Sequence, residues 1–250
     1  MTYYMIHTYP KRLWYVQEYL IPSLLKQGIK EEQIIVYNDD KKEGNLLACL
    51  SSFSLCSNYV DKCEGIWHLQ DDVIICKDFK IRTEMYDKGI VCGFSSRRYD
   101  GDRRDKKGQV VREKMWFSFP CIRIPNKYAI ECSIFVKENI IGNPVYEKFW
   151  KSGRNDDWAF RKFLEIKYPK CTAINLCPNL VDHIDYLIGG GSGGKRKVIV
   201  NSQYFKDKYI VDMFKREMIE KGIYKEETLE EFDKNKKKKR ITYQDEDVYV

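Results

Sequence analysis

The chain has 250 residues, of which 43% are hydrophobic and 14% aromatic. That is enough to bury one substantial core and excludes a disordered polymer. Its 44 lysines and arginines against 37 acids leave a mild net charge of +7, no apolar run reaches transmembrane length, and residues 1–10 lack the layout of a signal peptide, so a soluble cytoplasmic protein is expected.

Residues 2–7 read as a first strand, rich in β-favouring side chains and ended by Tyr9-Pro10. A helical pattern follows over residues 11–28, with Leu13, Val16, Tyr19/Leu20 and Leu24 in phase and Pro22 predicting a kink or a restart. Residues 33–37 give a second strand that ends in Asn38-Asp39-Asp40, and Gly44-Asn45 opens a helix running through Leu55. The third strand, residues 65–70, closes on Asp71-Asp72, and the apolar stretch Val73-Ile74-Ile75 follows at once. Strand, helix, strand, helix, strand predicts a parallel α/β sheet with right-handed crossovers. His7-Thr8, Asn38-Asp39-Asp40 and Asp71-Asp72 then gather along one edge, where open sheets of this kind bind their ligands.

Two further strands are expected over residues 89–95 and 115–124. Between them, residues 97–114 form a polar loop with eight basic side chains beside Trp116, Phe117 and Phe119, a mixture of cations and stacking surfaces that nucleic-acid sites use. The alternative is a solvated surface insertion. Helices are expected over residues 126–136 and 156–166, then a short strand over 173–176. The glycine cluster 189–194 reads as flexible, Tyr204, Val211, Phe214 and Met218 give a C-terminal amphipathic helix, and the lysine-rich stretch 234–240 reads as a solvated arm. Nine scattered cysteines without a C-x-x-C pair read as reduced core thiols.

Three groupings could do chemistry. Asp71-Asp72 is either a polar turn or a pair of hard oxygen ligands for Mg²⁺ or Mn²⁺. Asp156-Asp157 heads a helix, where both acids can serve as caps of the first turn, or one can cap while the other faces a cleft and accepts a proton. His183, between Asp182 and Asp185, is expected at an exposed edge, where one imidazole nitrogen could join Asp72 on a metal; His68 is expected inside its strand. No Walker loop, G-x-G-x-x-G, G-x-S-x-G or H-E-x-x-H is present, so kinase, dehydrogenase and serine-hydrolase readings fall away.

Taken in order, these segments resemble the GT-A fold glycosyltransferases. Gln70-Asp71-Asp72-Val73 is similar to their acidic D-x-D-type motif, Asn155-Asp156-Asp157-Trp158 to the acidic pair heading the helix of the catalytic base, and residues 178–184 to a late P-x-L-V-x-H segment. The resemblance covers about residues 2–192 and implies a GT-A-like Rossmann-type mixed sheet flanked by helices. It implies a catalytic domain over residues 1–200; beyond it, apolar spacing gives the C-terminal amphipathic helix over 201–224 and charge a mobile tail over 225–250. It further implies transfer of a sugar from a nucleoside-diphosphate sugar, a UDP-sugar in particular, to an acceptor hydroxyl with inversion. Asp72 and His183 would hold Mn²⁺ or Mg²⁺; Thr8, Arg12, Asn38, Asp39, Asn45 and Asp71 would face the donor; Asp157 or Asp156 would serve as base, Asp157 being favoured because Asn155-Asp156 suits the cap better. The acceptor is a glycan or, by way of the basic loop, a hydroxymethylated pyrimidine in DNA. A non-catalytic nucleotide-sugar or nucleic-acid binding module is the remaining alternative.

Overall fold

In the computed structural model the described residues are 1–94, 110–114 (backbone only), 119–151, 156–176, 178–189 and 205–225. The first half runs β1 (Tyr3–Thr8), α1 (Leu13–Tyr15), a π-helical turn (Val16–Leu20), α2 (Ile21–Lys26), β2 (Ile34–Asn38), α3 (Asn45–Leu55), β3 (Gly65–Gln70), β4 (Val73–Ile75), α4 (Phe79–Glu84) and β5 (Ile90–Cys92). The second half runs β6 (Val110–Lys114), β7 (Cys121–Pro125), α5 (Asn126–Asn139), α6 (Glu147–Trp150), α7 (Asp156–Lys167), β8 (Thr172–Leu176), β9 (Val181–His183), α8 (Asp185–Ile188) and α9 (Lys208–Glu220).

Seven strands form one mixed sheet in the order β2-β1-β3-β7-β5-β8-β6, and β4 pairs with β9 in a separate two-stranded ladder. Strands β2, β1 and β3 are parallel, with Thr8 opposite Asn38 and His7 opposite Gln70, so their C-terminal ends meet at one edge. The expected parallel order therefore holds for the first three strands. It gives way at β7, which runs antiparallel to both β3 and β5.

The two-residue period of β1 and β3 sorts their side chains onto opposite faces. Tyr4, Ile6, Trp67 and Leu69 join a core with Leu20, Leu24, Val181, Leu187 and Phe214. Tyr3, Met5 and Ile66 join another with Leu50, Phe53, Ala129, Phe160 and Phe163. Helices thus cover both faces, an α/β sandwich of three layers. In the C-terminal helix, Val211, Phe214 and Met218 are buried as their spacing predicts.

The helix restarts at Pro22, which stands in the first turn of α2. The turn before it widens, so that the Ile21 N–H reaches back to Val16 O. A π turn leaves room for a ring that would otherwise press on the preceding carbonyls. Cys49, Cys56, Cys76, Cys92, Cys121 and Cys132 are buried thiols outside any disulfide, as expected of core cysteines.

Two expectations need correction. The end of the supposed loop 97–114 is not loop: Val110–Lys114 form edge strand β6, antiparallel to β8. Alternation there was obscured by charged residues, which an edge strand tolerates. Of the strand expected over 115–124, residues 119–120 are a turn and Cys121–Pro125 form the strand, while 115–118 fall outside the described residues. Residues 95–109 and 115–118, with most of the basic stretch, lie outside the described residues, as do 190–204 and the tail beyond 225. Among the described residues no helix is long and apolar enough to cross a membrane.

Candidate metal centre

The β4–β9 ladder is what brings the separate acidic segments together. Val73 stands opposite His183, and the Ile184 N–H donates to Asp72 O at 2.8 Å. The approach to β9 depends on Gly93, whose carbonyl accepts from the Leu180 N–H at 2.7 Å. A Cβ at Gly93 would lie 2.6 Å from Cys121 Sγ and 2.8 Å from Leu180 Cδ1, so only glycine lets the segment leading to His183 pass this close.

Asp72, His183 and Asp185 form a buried group whose ligand atoms lie within 4.8 Å of one another, and which could hold a metal ion. His183 Nε2 is 3.1 Å from Asp72 Oδ1, and Nδ1 is 3.3 Å from Asp185 Oδ1. Beyond these ionic contacts, neither Asp72 Oδ1 nor His183 Nδ1 meets the geometry of a hydrogen bond, so an ion entering the group would compete with the ion pairs alone. The expected exposure of His183 is corrected: it is 3% exposed, because its strand is buried along its length and paired with the equally buried β4.

Arg12 closes the other side. Its Nη1 donates to Asp71 Oδ1 at 2.9 Å and to Asp72 Oδ2 at 2.5 Å, and its Nε donates to Gly189 O at 2.9 Å. Thr8 Oγ1 donates to Asp71 Oδ2 at 3.0 Å. Burial alone would raise the Asp72 carboxyl, but His183 and Arg12 overcome it and hold Asp72 well below the carboxylate range. Asp71 moves the other way, pushed up by burial and by Asp72. Burial would lower His183; Asp72 and Asp185 outweigh it and bring the imidazole up to about 9. The group is therefore internally compensated, with two cations set among its carboxylates.

Asp156 belongs to the same electrostatic neighbourhood. Loss of water and the adjacent Asp157 push its carboxyl up to about 7, with a smaller contribution from Asp72. Asp157 is exposed, and its Oδ1 accepts from the Trp158 N–H at 2.7 Å.

The remaining predicted residues divide. Asp39 is buried and spends its oxygens on the loop before α3, accepting from the Glu43 and Gly44 N–H groups at 3.0 and 3.2 Å. Asn38 donates to Asp40 Oδ1, while its own buried Oδ1 has no partner. Asn45 is exposed at the start of α3. Arg12, expected to face a donor, instead has its donors on carboxylates and backbone. Asp185 was not expected as a ligand; its place two residues after His183 on an i, i+2 spacing was the available signal. Tyr9 was also not expected: its hydroxyl is buried without a partner, and the Arg12 guanidinium lies 5.6 Å from its ring centre.

A second grouping, Cys76, Asp78 and Asp207, meets the same distance condition. It is less suited to an ion, because Asp207 Oδ2 already takes the Lys77 N–H and burial pushes the Cys76 thiol up to about 12.

No protein-family profile matches the chain, and no curated protein is similar to it in sequence. Among solved structures it is similar to "Crystal Structure of A197 from STIV", with a TM-score of 0.38 and 12% identity, over 73% of this chain and 86% of that one. At that TM-score the likeness is too slight for any residue role to be carried across.

Proposed function

We infer that the protein is a metal-dependent glycosyltransferase of GT-A type, moving a sugar from a nucleoside-diphosphate sugar to an acceptor hydroxyl with inversion. The observation that carries this reading is the buried Asp72, His183 and Asp185 group at the edge where three parallel strands end. A divalent cation bridged to a diphosphate is the ligand that such an edge and such a donor set suit together.

Asp72, His183 and Asp185 would hold the ion. Two carboxylates and one imidazole fit Mn²⁺ better than Mg²⁺, which prefers oxygen alone. A divalent ion bound there supplies Lewis-acid neutralisation of charge on the departing nucleoside diphosphate. Asp71 supports the set through Thr8 and Arg12. Asn38, with its unpartnered buried oxygen, and Asn45, exposed at the helix start, are the residues best able to meet the donor's base and ribose.

The base assignment moves from Asp157 to Asp156. A carboxyl whose pKa is about 7 is half ionised where it has to work, and it can still take a proton from an acceptor hydroxyl. Asp157, exposed and bonded to the Trp158 N–H, is left as the capping residue.

Thermal unfolding of the wild type with UDP-, GDP-, CMP- and dTDP-sugars, each with and without Mn²⁺, tests the reading. The expected result is a rise in Tm with one donor that needs Mn²⁺ and is lost in Asp72→Asn. A wild type that responds to no donor in Mn²⁺ overturns it.

A further inference from the structure

We propose that Arg12 is the resident counter-cation of this centre, a positioning residue that holds the carboxylates together without metal and competes with a divalent ion for Asp72. The proposal rests on the metal reading above and extends it to a residue of a different kind.

Three observations support it. First, both oxygens of Asp72 are taken: Oδ2 by Arg12 Nη1 at 2.5 Å and Oδ1 by His183 Nε2 at 3.1 Å. An ion that used Asp72 would have to share or displace one of these cationic groups. Secondly, the arrangement is dry, with Arg12, Asp71 and Asp72 each between 4% and 5% exposed. Two adjacent carboxylates withdrawn from water repel strongly, and a single guanidinium nitrogen bonded to both is what offsets that repulsion. Thirdly, Arg12 Nε reaches Gly189 O, at the end of the helix that begins with Asp185. One side chain thus ties the Asp71-Asp72 turn to the segment that carries the other two ligands.

The chemistry implies opposite effects on stability and on metal affinity. Removing the guanidinium charge leaves the carboxylates uncompensated, which costs stability in the absence of metal. The same change raises the negative charge available to a divalent cation. A residue with a purely structural role would lower stability and weaken metal binding together.

The test compares wild type, Arg12→Met, Arg12→Lys and the double variant Arg12→Met/Asp71→Asn by thermal unfolding in EDTA and by calorimetric titration with Mn²⁺. In EDTA, Arg12→Met is expected to lose about 5 °C or more in Tm. It should bind Mn²⁺ about tenfold more tightly than wild type, a change that loss of one nearby unit charge readily supplies. Arg12→Lys, which keeps the charge, should fall between them. The double variant removes the like-charge neighbour and retains Asp72, His183 and Asp185. It should recover most of the Tm and still bind Mn²⁺ at least as tightly as wild type, so the idea stays open to test if Arg12→Met does not fold. A folded Arg12→Met or double variant that binds Mn²⁺ more weakly than wild type overturns the proposal. So does a failure of every variant to bind Mn²⁺. A wild type that ignores Mn²⁺ beside an Arg12→Met that binds it would sink metal dependence of the native enzyme and support Arg12 as the cation that stands in its place.

Discussion

His183 faces Asp72 across 3.1 Å through one ring nitrogen and Asp185 across 3.3 Å through the other, with all three side chains buried. An imidazole between two carboxylates is favoured in its charged form, and Asp72 and Asp185 push His183 up to about 9 against the effect of burial. The protonated ring and a divalent ion are thus alternative occupants of one small space. That exclusion gives the centre its most direct solution signature.

Because His183 must lose a proton before it can ligate, Mn²⁺ affinity should depend on pH. Below about 9 the imidazole is held in its charged form, so each pH unit upward should tighten binding by up to about tenfold, levelling off near 9. One proton should leave per ion bound. Titration calorimetry in two buffers of different ionisation enthalpy reads that proton directly. Affinity that does not change between pH 6 and 8 would remove His183 from the ligand set.

Asp185 should matter whether it ligates the ion or only orients His183. Its Oδ1 lies 3.3 Å from His183 Nδ1. Asp185→Asn keeps the shape and removes the charge, and should weaken Mn²⁺ binding by about 10- to 100-fold, the range seen when a partner of a metal-bound histidine is lost. Far-UV circular dichroism should be unchanged. An unaltered Kd would confine the ions to Asp72 and His183.

Much of this centre was legible because strand ends obey a simple rule. Alternation placed β1, β2 and β3 within a residue or two of their observed bounds, and the parallel crossovers put Thr8, Asn38 and Asp71-Asp72 on one edge. What failed was anything set by a contact distant in sequence. The burial of His183 depends on a three-residue strand pairing with Val73 from more than a hundred positions away, too short to leave a period of its own. Arg12 follows the first strand among polar and turn residues, and nothing local announces that its guanidinium turns inward onto Asp71 and Asp72. The proposed choice of Asp156 over Asp157 likewise rests on which carboxyl loses more contact with water. Sequence adjacency cannot show that.

Asp156→Asn and Asp157→Asn should separate the two acids. If Asp156 takes the acceptor's proton, its amide variant should lose about 10²-fold or more in transfer rate, while Asp157→Asn should lose less than about tenfold. The wild-type rate should rise with pH through an apparent pKa near 7, as Asp156 ionises. Stability should move against activity. A carboxyl raised in the folded state binds its proton more tightly there than when unfolded, so its ionisation costs stability progressively between about pH 4 and 7. Asp156→Asn removes that cost and should gain about 1–2 kcal/mol at pH 8, discounted for the part of the side chain that water still reaches. Equal rates for the two variants would leave the base unassigned to this helix.

On the face of β1 and β3 that packs against α3 and α7, His7 and His68 form a neutral pair that should govern acid stability. His7 Nε2 and His68 Nδ1 are 2.9 Å apart, and Ser52 Oγ lies 3.2 Å from His7 Nδ1. Two imidazoles sharing one hydrogen bond cannot both be charged, and burial lowers His7 from 6.5 to about 4. His68 is lowered further, by burial and by His7. A histidine depressed in the folded state takes up protons first in the unfolded chain. Its contribution is therefore whole above about pH 6.5 and is lost as the pH falls toward 4. For His7 the loss should approach about 3 kcal/mol, on top of what the carboxylates contribute in acid. Tm measured between pH 7.5 and 4 should fall with that midpoint, and His7→Gln, which can keep hydrogen bonds to Ser52 and His68 without titrating, should flatten the slope. A variant as acid-sensitive as wild type would place the lability elsewhere in the fold.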